Sequence, residues 1–322
     1  MDLIYSNNNV EIGVLQKFAL DFESSTDKDK NTFEVECPID SNPLNIGYYI
    51  FVENSEIGGI IDSIKLDTAK QLAYLDGRSW RGVLGSKILE PPLGQSHYVV
   101  SGDINDILAE IITKIGLSDL FVADITASGQ TVTNYQFARY TDAYTGIVKL
   151  LSSLDLKLNI YHYKGFVHIK AVPINDYTAM SQLTSDTFDF VIQKRNPTAN
   201  HMIGLGSGEL TERMVIHKYL QPDGSISDIQ YYFGVDEVVA VYDNSNTESI
   251  EDLTASTIEE LEKCSVEDSI DIKSYNLDAD LGDKFLAHDN VTGLSVTQYV
   301  VDKITNIDED VVKIQYKVGG GI

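Results

Sequence analysis

Histidines are the side chains in this sequence best suited to acid–base chemistry or metal binding at neutral pH. The six are scattered along the chain: His97, His162, His168, His201, His217 and His288. No pair has the H-x-x-x-H or H-E-x-x-H spacing that places two imidazoles on one face of a helix. A zinc site needs three or four converging ligands. We therefore predict no metal site and assign the histidines to strand faces.

A second candidate for chemistry is Asp278-Ala279-Asp280-Leu281-Gly282-Asp283, which has the alternating aspartates of a calcium-binding loop. An EF-hand loop needs a bidentate glutamate at its twelfth position, and that position is Asp289 here. Predicted strand occupies the interval between them. A turn before a strand is the better interpretation.

The glycine-rich stretch Gly204-Leu205-Gly206-Ser207-Gly208-Glu209 is the third candidate. It lacks the Lys-Ser/Thr of a phosphate loop, no helix follows it, and its frame does not match G-x-S-x-G. Carboxylates are too abundant for a glycosidase-like pair to be excluded by count, although no feature marks two of them as special. We predict no catalytic residues, no cofactor-binding residues, no cofactor and no enzymatic activity.

Net charge is the most informative compositional property. The 322 residues contain 24 basic and 49 acidic side chains, a net charge of −25. Such a surface repels nucleic-acid phosphates and anionic membranes, so we expect no specific DNA binding. Solubility alone would explain the excess, and so would a wall past which DNA slides without sticking. Cys37 and Cys264 are too few for a disulfide framework or a thiolate site and are predicted to be buried free thiols.

Residues 1–90 are predicted to form a first barrel-like β-domain of five or six short strands. Leu3–Tyr5 and Val10–Val14 flank a turn of polar residues, which is typical of a hairpin. The run from Gly47 to Val52 is apolar throughout and predicts a strand buried on both faces. No apolar run is long enough for a spanning helix, and the first residues do not resemble a signal peptide.

Residues 91–180 are predicted to form an inserted α+β module. Ser101-Gly102-Asp103 offers a helix N-cap before apolar residues at helical spacing, and Gly116 is a good terminator. A second helix is expected from Thr141 or Asp142, followed by a hairpin that turns at Lys164-Gly165.

Residues 181–322 are predicted to form a second barrel-like β-domain with a helix near 247–264. The fold class is therefore α+β and β-dominated. Between the first two domains, the stretch Leu72–Pro92 is predicted to be a strand that breaks at Asp76-Gly77, followed by a turn with the chain's only tryptophan, Trp80. Trp80 could stack on a ligand, but its place at a domain boundary favours a packing anchor.

Four segments, taken together and in order, resemble the baseplate-hub or tail-tip proteins of long-tailed phages, of the siphophage type, which also occur in phage-tail-like particles such as contractile bacteriocins. They are the opening hairpin with the strands after it, Leu75–Trp80, Asn200–Leu210 with Arg213, and the L-G-D element Asp280–Lys284. The resemblance covers nearly the whole chain, and each segment alone is weak.

The resemblance implies a homotrimeric structural hub that adapts a sixfold tail tube to a threefold tip. It implies as partners the tail tube, distal tail and tail-spike or tip proteins and the tape measure protein, with DNA passing through the lumen. It implies a location in the virion tail, assembled in the cytoplasm of the bacterial host. Hubs with a lysin continue into a hydrolase domain, whereas this sequence stops in glycines, so we expect that extension to be absent or encoded separately.

Two alternatives stay open at this point. A cell-wall hydrolase of the same particle would show a pocket with two facing carboxylates and would turn over peptidoglycan. A carbohydrate-binding subunit would show exposed aromatic rings on one face, and the 18 tyrosines are compatible with one.

Overall fold

The computed structural model describes residues 1–39, 44–178, 182–184, 190–193, 196–264, 269–272, 279–308 and 311–319. About 44% of the chain is strand and 19% helix, which confirms the predicted β-dominated class. The chain forms two compact units, Met1–Ile192 with Ile270–Ile322, and Gln193–Ser269. In the described part, no helix combines the length and apolarity needed to cross a membrane.

The strands of the first unit up to the boundary are β1 (Leu3–Asn7), β2 (Val10–Leu15), β3 (Ala19–Ser25), β4 (Thr32–Pro38), β5 (Tyr49–Phe51), β6 (Gly58–Asp67), β7 (Leu72–Ser79), β8 (Val99–Asp103), β9 (Phe121–Ala123), β10 (Thr131–Gln136), β11 (Leu156–Tyr163), β12 (Phe166–Pro173), β13 (Gln182–Thr184) and β14 (Phe190–Gln193). The second unit contains β15 (His201–Leu205), β16 (Val215–Leu220), β17 (Ile226–Ser227) and β18 (Val239–Asp243). The chain then returns to the first unit with β19 (Ser269–Ile272), β20 (Lys284–His288), β21 (Ser295–Asp308) and β22 (Val311–Gly319). The α-helices are α1 (Trp80–Gly85), α2 (Ile104–Lys114), α3 (Ala143–Ser152) and α4 (Ile250–Cys264).

One large sheet organises the first unit, with the strand order β14-β19-β22-β21-β3-β4-β7-β6-β5-β1-β2. Off this path, β20 pairs with β21, and β13 pairs with β20. The N-terminal and C-terminal strands share this sheet because β21 pairs antiparallel with β3, from Asp302 opposite Ser25 to Asp308 opposite Ala19. No sheet closes into a barrel within the described residues. The predicted barrels therefore stay a proposal.

Alternation of apolar and polar residues explains which face of this sheet is buried. Leu20 and Phe22 on β3, Phe33 and Val35 on β4, and Leu75 on β7 all lie on one face and are fully buried in a common core. The residues between them point to the opposite face because successive side chains of a strand alternate in direction.

The range 91–180, predicted to be an α+β module, contains helices α2 and α3 and two small sheets, β10-β8 and β11-β12-β9. Asp103 caps α2 by accepting from the Asn105 amide, and Asp142 caps α3 by accepting from the Thr145 amide. Each carboxylate satisfies a backbone N–H that the first helical turn leaves unpaired. The apolar faces of α2 and α3 pack into a core that also includes Phe51 and Trp80.

The second unit is a sheet of order β17-β16-β15-β18 with α4 packed on β15. A Cβ at Gly204 on β15 would lie 2.1 Å from Thr257 Oγ1 on α4, so the helix can approach the strand only at a glycine. This is the close backbone approach that a glycine inside a strand indicates.

Three local predictions were wrong. The strand predicted over Gly47–Val52 is only Tyr49–Phe51, and β7 does not break at Asp76-Gly77 but continues to Ser79. Gly77 lies inside the strand, paired with Phe33 and Ile61, and only a glycine fits there because a Cβ would come 1.9 Å from the Ile60 carbonyl oxygen. The turn predicted around Trp80 is the short helix α1.

The predicted division at 1–90, 91–180 and 181–322 differs from the two compact units. Residues 193–269 form a unit of their own inside the last range. As domain boundaries the three ranges stay a prediction.

Candidate functional site

A row of carboxylates crosses the solvent-facing side of the large sheet. Asp21 on β3 lies directly opposite Glu34 on β4, and Glu34 lies directly opposite Asp76 on β7. Like charges directly opposite each other on neighbouring strands are destabilising. Three aligned carboxylates therefore indicate a requirement other than stability of the isolated sheet.

Glu23 and Asp62 extend this row, and the five carboxylates are called the acidic sheet face below. They line a shallow depression of about 440 Å³ together with Thr32, Phe33, Gly77 and Arg78. Arg78 does not neutralise the face as a whole, because its guanidinium binds Asp62 through two hydrogen bonds of 2.7 and 2.8 Å. The depression therefore carries a strong excess of negative charge.

The surroundings of two of these carboxyl groups shift their pKa values. Partial burial and then the nearby Asp302 raise the pKa of Glu23, although Lys317 and Lys30 oppose the effect. The hydrogen bond from Arg78 lowers the pKa of Asp62. Within the described residues no cluster of three or more His, Cys, Asp or Glu side chains is arranged to hold a metal ion. The chemistry available to this face is electrostatic repulsion of anions.

Helix α1 ties the sheet that carries the acidic sheet face to the α+β module. Arg81 on α1 is buried and binds Glu56, in the loop before β6, at 2.5 Å and 3.1 Å. It also donates to the Leu158 carbonyl of β11 at 3.1 Å and to Tyr144 Oη of α3 at 3.3 Å. Burial opposes the charge of Arg81, but Glu56, Tyr144 and Asp280 together outweigh this effect and raise the pKa of Arg81. The guanidinium is thus a charged junction between three elements.

The network continues to the C-terminal strands. Tyr144 Oη donates to the Ser25 carbonyl at 2.6 Å, and Ser25 Oγ donates to Asp302 Oδ1 on β21 at 2.5 Å. Lys30 and Lys317 lie 3.3 Å and 3.5 Å from the other oxygen of Asp302. A cavity of about 130 Å³ lies beside this network, bounded by residues of α3 and β11 and by Leu281 and Gly282.

The aspartates that suggested calcium binding form ion pairs with two lysines. Asp283 is fully buried, binds Lys157 Nζ at 2.7 Å, and accepts from the backbone amides of Asn175 and Asp280. Asp280 binds Lys303 at 2.9 Å. Both carboxylates are occupied by protein donors, in agreement with the turn interpretation. Asp278 lies outside the described residues.

Trp80 is fully buried and presents no face to a ligand. Its ring lies 6.1 Å from His162 and 6.0 Å from Tyr49. Its Nε1 has no hydrogen-bond partner among the described protein atoms. The burial supports the anchor interpretation, at the contact between β5 and the module.

His162 is the one predicted hairpin histidine that is buried rather than on an open strand face. Its ring stacks on Phe51 at 3.6 Å, and its Nδ1 lies 2.8 Å from Glu53 Oε2. Burial lowers its pKa, although Glu53 opposes the shift. Of the two cysteines, Cys37 is buried and Cys264 is half-buried, and both are free thiols.

His201 and His217, which the sequence left unconnected, are brought together in the second unit. His201 Nε2 lies 2.8 Å from His217 Nδ1, and His201 Nδ1 lies 2.7 Å from Glu237 Oε1. Spacing alone could not reveal this pair, because the 16-residue separation includes a loop whose path only the fold determines. The available signal was that each histidine lies in a predicted strand, His201 in 201–206 and His217 in 214–220.

Comparison with known proteins gave matches in structure alone. No protein-family model matches the sequence, and no curated protein matches it. The tail protein from Neisseria meningitidis MC58 is similar in structure with a TM-score of 0.54 and 11% sequence identity, over 99% of this chain and 96% of that chain. The 43 kDa tail protein of prophage MuSo2 from Shewanella oneidensis has a TM-score of 0.56 and 10% identity, over 98% of this chain and 97% of that one. The chain therefore shares the fold of these tail proteins over nearly its whole length.

Proposed function

We propose that this chain is a structural subunit of the tail of a phage or phage-tail-like particle, and that within the tail it forms the baseplate hub or tail tip. The observation that carries the proposal is the likeness to two tail proteins over 98–99% of this chain. A shared fold alone does not fix a function. The acidic sheet face, which is independent of that likeness, is the second support.

In the proposed hub, three copies assemble around the axis of the tail. The predicted barrel-like parts at 1–90 and 181–322, with the module at 91–180 at the periphery, would present six related units to a sixfold tube and three to the tip. Closed rings are an ordinary outcome of a repeated interface of this kind. The proposed partners are the tube, distal-tail, spike or tip and tape measure proteins.

The oligomeric mass tests this assembly. We expect native mass spectrometry of the purified chain, alone and mixed with the tail-tube protein of the same particle, to show a trimer in at least one of the two samples. A chain that stays a monomer in both samples and binds neither tube nor tip proteins would contradict the hub.

The acidic sheet face is proposed to line the passage for DNA. DNA carries one negative charge per about 1.7 Å of helix axis, so an acidic wall prevents it from adhering. Without such repulsion, basic contacts would hold the DNA through release of its counterions.

Neutralising the aligned row tests this role. We expect the triple substitution Asp21→Asn, Glu34→Gln and Asp76→Asn to leave assembly intact and to slow DNA ejection from particles that contain it. The matched control removes three charges from α4 by Asp252→Asn, Glu259→Gln and Glu262→Gln and should leave the rate unchanged. Equal ejection rates in the two variants would count against a lumen position.

A specific observation favours carbohydrate binding as a second candidate. The outer face of β11 and β12 carries Tyr161 stacked against His168 at 5.2 Å, and beside them Tyr163 and Phe166, each 37% exposed. Aromatic rings with polar neighbours bind the apolar faces of sugars while the neighbours bind the hydroxyls.

Sedimentation with peptidoglycan discriminates these functions. Carbohydrate binding predicts that the wild-type chain co-sediments and that Tyr163→Ala with Phe166→Ala does not, whereas Tyr140→Ala, at another exposed tyrosine, still does. Release of soluble fragments would instead indicate the hydrolase. If the chain neither binds peptidoglycan nor releases fragments from it, the structural role is the one function that remains of the three.

A further inference from the structure

A chain of three hydrogen bonds connects four side chains on one face of the sheet in the second unit. Gln230 Nε2 donates to Glu237 Oε1 at 2.8 Å, and Glu237 Oε1 lies 2.7 Å from His201 Nδ1. His201 Nε2 in turn lies 2.8 Å from His217 Nδ1. The register places His217 opposite Ile203, so the two histidines are diagonal neighbours on adjacent strands.

The carboxylate fixes the tautomer of His201. Because ionised Glu237 only accepts hydrogen bonds, His201 must carry its proton on Nδ1, which leaves the lone pair on Nε2. When both imidazoles are neutral, His217 must donate from its Nδ1 to the lone pair on His201 Nε2. Glu237 therefore aims an unprotonated imidazole nitrogen of His201 at His217.

The two histidines differ in solvent exposure in a way that suits binding of a shared ion. His201 is 8% exposed and its ring stacks on Tyr219 at 4.4 Å, so its position is held from two sides. His217 is exposed. One ligand is held rigidly by its surroundings, and the second is open to solvent and free to adjust.

The two nitrogens lie close enough to share a metal ion once the hydrogen bond between them opens. Two imidazole nitrogens bound at about 2.0–2.1 Å are about 2.8–3.0 Å apart at a right angle and about 3.3–3.4 Å apart at a tetrahedral angle. The observed 2.8 Å is the length of the hydrogen bond, in which the two nitrogens point at each other and not at a third position. A rotation of the exposed His217 ring would turn its nitrogen toward a shared ion. The Nδ1 proton of His217 moves to its Nε2 through solvent, so no net proton is released.

We propose that His201 and His217 bind one divalent transition-metal ion of the class that prefers imidazole, such as Zn²⁺, Ni²⁺ or Cu²⁺. Glu237 serves as the outer carboxylate that orients a metal-binding histidine, and Gln230 fixes that carboxylate in turn. In the described part of the chain no third His, Cys, Asp or Glu converges on the pair, so water fills the remaining positions. Hard cations such as Mg²⁺ and Ca²⁺ are excluded because they prefer oxygen ligands.

Calorimetric titration of the full-length chain with Ni²⁺, Zn²⁺ and Cu²⁺ tests the site, with Mg²⁺ as the negative control. We expect one transition-metal ion per chain, no heat with Mg²⁺, and affinity at least about tenfold lower in His217→Ala. Glu237→Gln should weaken binding by about 10- to 100-fold while leaving both nitrogens in place. The matched control His97→Ala removes a histidine of the first unit and should bind as the wild type does.

A measurement on the wild-type chain avoids dependence on folded variants. In histidine-selective NMR, Zn²⁺ should shift the ring signals of two histidines that sequential assignment identifies as His201 and His217. Affinity in His217→Ala equal to that of the wild type, or metal-induced shifts confined to other histidines, would overturn the proposal. Its failure would not bear on the tail function, which rests on different residues.

Discussion

Repulsion between the carboxylates of the acidic sheet face lowers the stability of the fold. Like charges directly opposite each other on neighbouring strands are destabilising, and Glu34 faces a carboxylate on both sides. Arg78 relieves only Asp62. Such a cost is expected where a surface serves a passing or binding partner, since the fold itself would be more stable with neutral side chains.

The substitution Glu23→Gln should stabilise the chain at neutral pH. Burial and Asp302 raise the pKa of Glu23 in the folded state above its ordinary value of 4.5. Below the unfolded pKa both states are protonated, and as the pH rises the unfolded state loses its proton first. Ionisation of Glu23 therefore favours unfolding, and the glutamine removes this penalty.

Urea denaturation across a pH series checks this direction. The stability advantage of Glu23→Gln should be absent below about pH 4.5 and should grow to a plateau above the folded pKa. Glu212→Gln, at an exposed site of the second unit, should change stability little at any pH. An advantage that is constant with pH would show that the effect is not electrostatic.

At the scale of elements, the short helix α1 joins parts of the chain that are far apart in sequence. Within six residues it places the indole of Trp80 in the core shared with the module and the guanidinium of Arg81 in the ionic junction. A helix this short is not stable alone. Its position depends on these buried contacts.

Replacement of Trp80 by alanine should lower the free energy of unfolding by about 3–5 kcal/mol, because it removes a fully buried aromatic ring. Trp80→Phe keeps part of the ring and should cost less. Tyr140→Ala is the control, because Tyr140 is 56% exposed. Denaturation followed by circular dichroism measures all three, and reduced assembly should accompany the loss. A cost of under about 1 kcal/mol for Trp80→Ala would contradict the anchor role.

At the scale of the whole molecule, the second unit is inserted in the sequence between two strands of the large sheet. The chain leaves the first unit after β14 and re-enters it at β19, and these two strands are neighbours in the sheet. Domain insertion succeeds where the ends of the inserted part are close together.

Deletion of residues 196–264 is therefore expected to leave a folded first unit. A Gly/Ser linker of about ten residues has a mean reach of about 17 Å, enough to join neighbouring strands. Cooperative unfolding of the shortened chain, with a dispersed NMR spectrum, would be the expected result. A molten or aggregated product would show that the first unit needs the second.

Much of the local structure could be predicted from the sequence. The 1–15 hairpin, helices α2 and α3 with their aspartate caps, the β11–β12 hairpin and α4 all follow from patterns within about fifteen residues. Periodicity and capping express local sterics and hydrogen bonding, which the neighbouring residues determine. The sequence also determined the negative charge and the absence of residue spacings typical of common metal and nucleotide sites.

Tertiary structure decided the rest, because it depends on residues distant in the chain. The sequence predicted a turn at Gly77, whereas in the structure this glycine allows the Ile60 carbonyl of the neighbouring strand to approach closely. The sequence predicted a turn around Asp283, but it did not reveal that Lys157, 126 residues away, binds this carboxylate. Only strand register aligned Asp21, Glu34 and Asp76, and only the pairing of β15 with β16 brought His201 to His217. Sequence determined which side chains could act, and the long-range pairing of strands determined which of them meet.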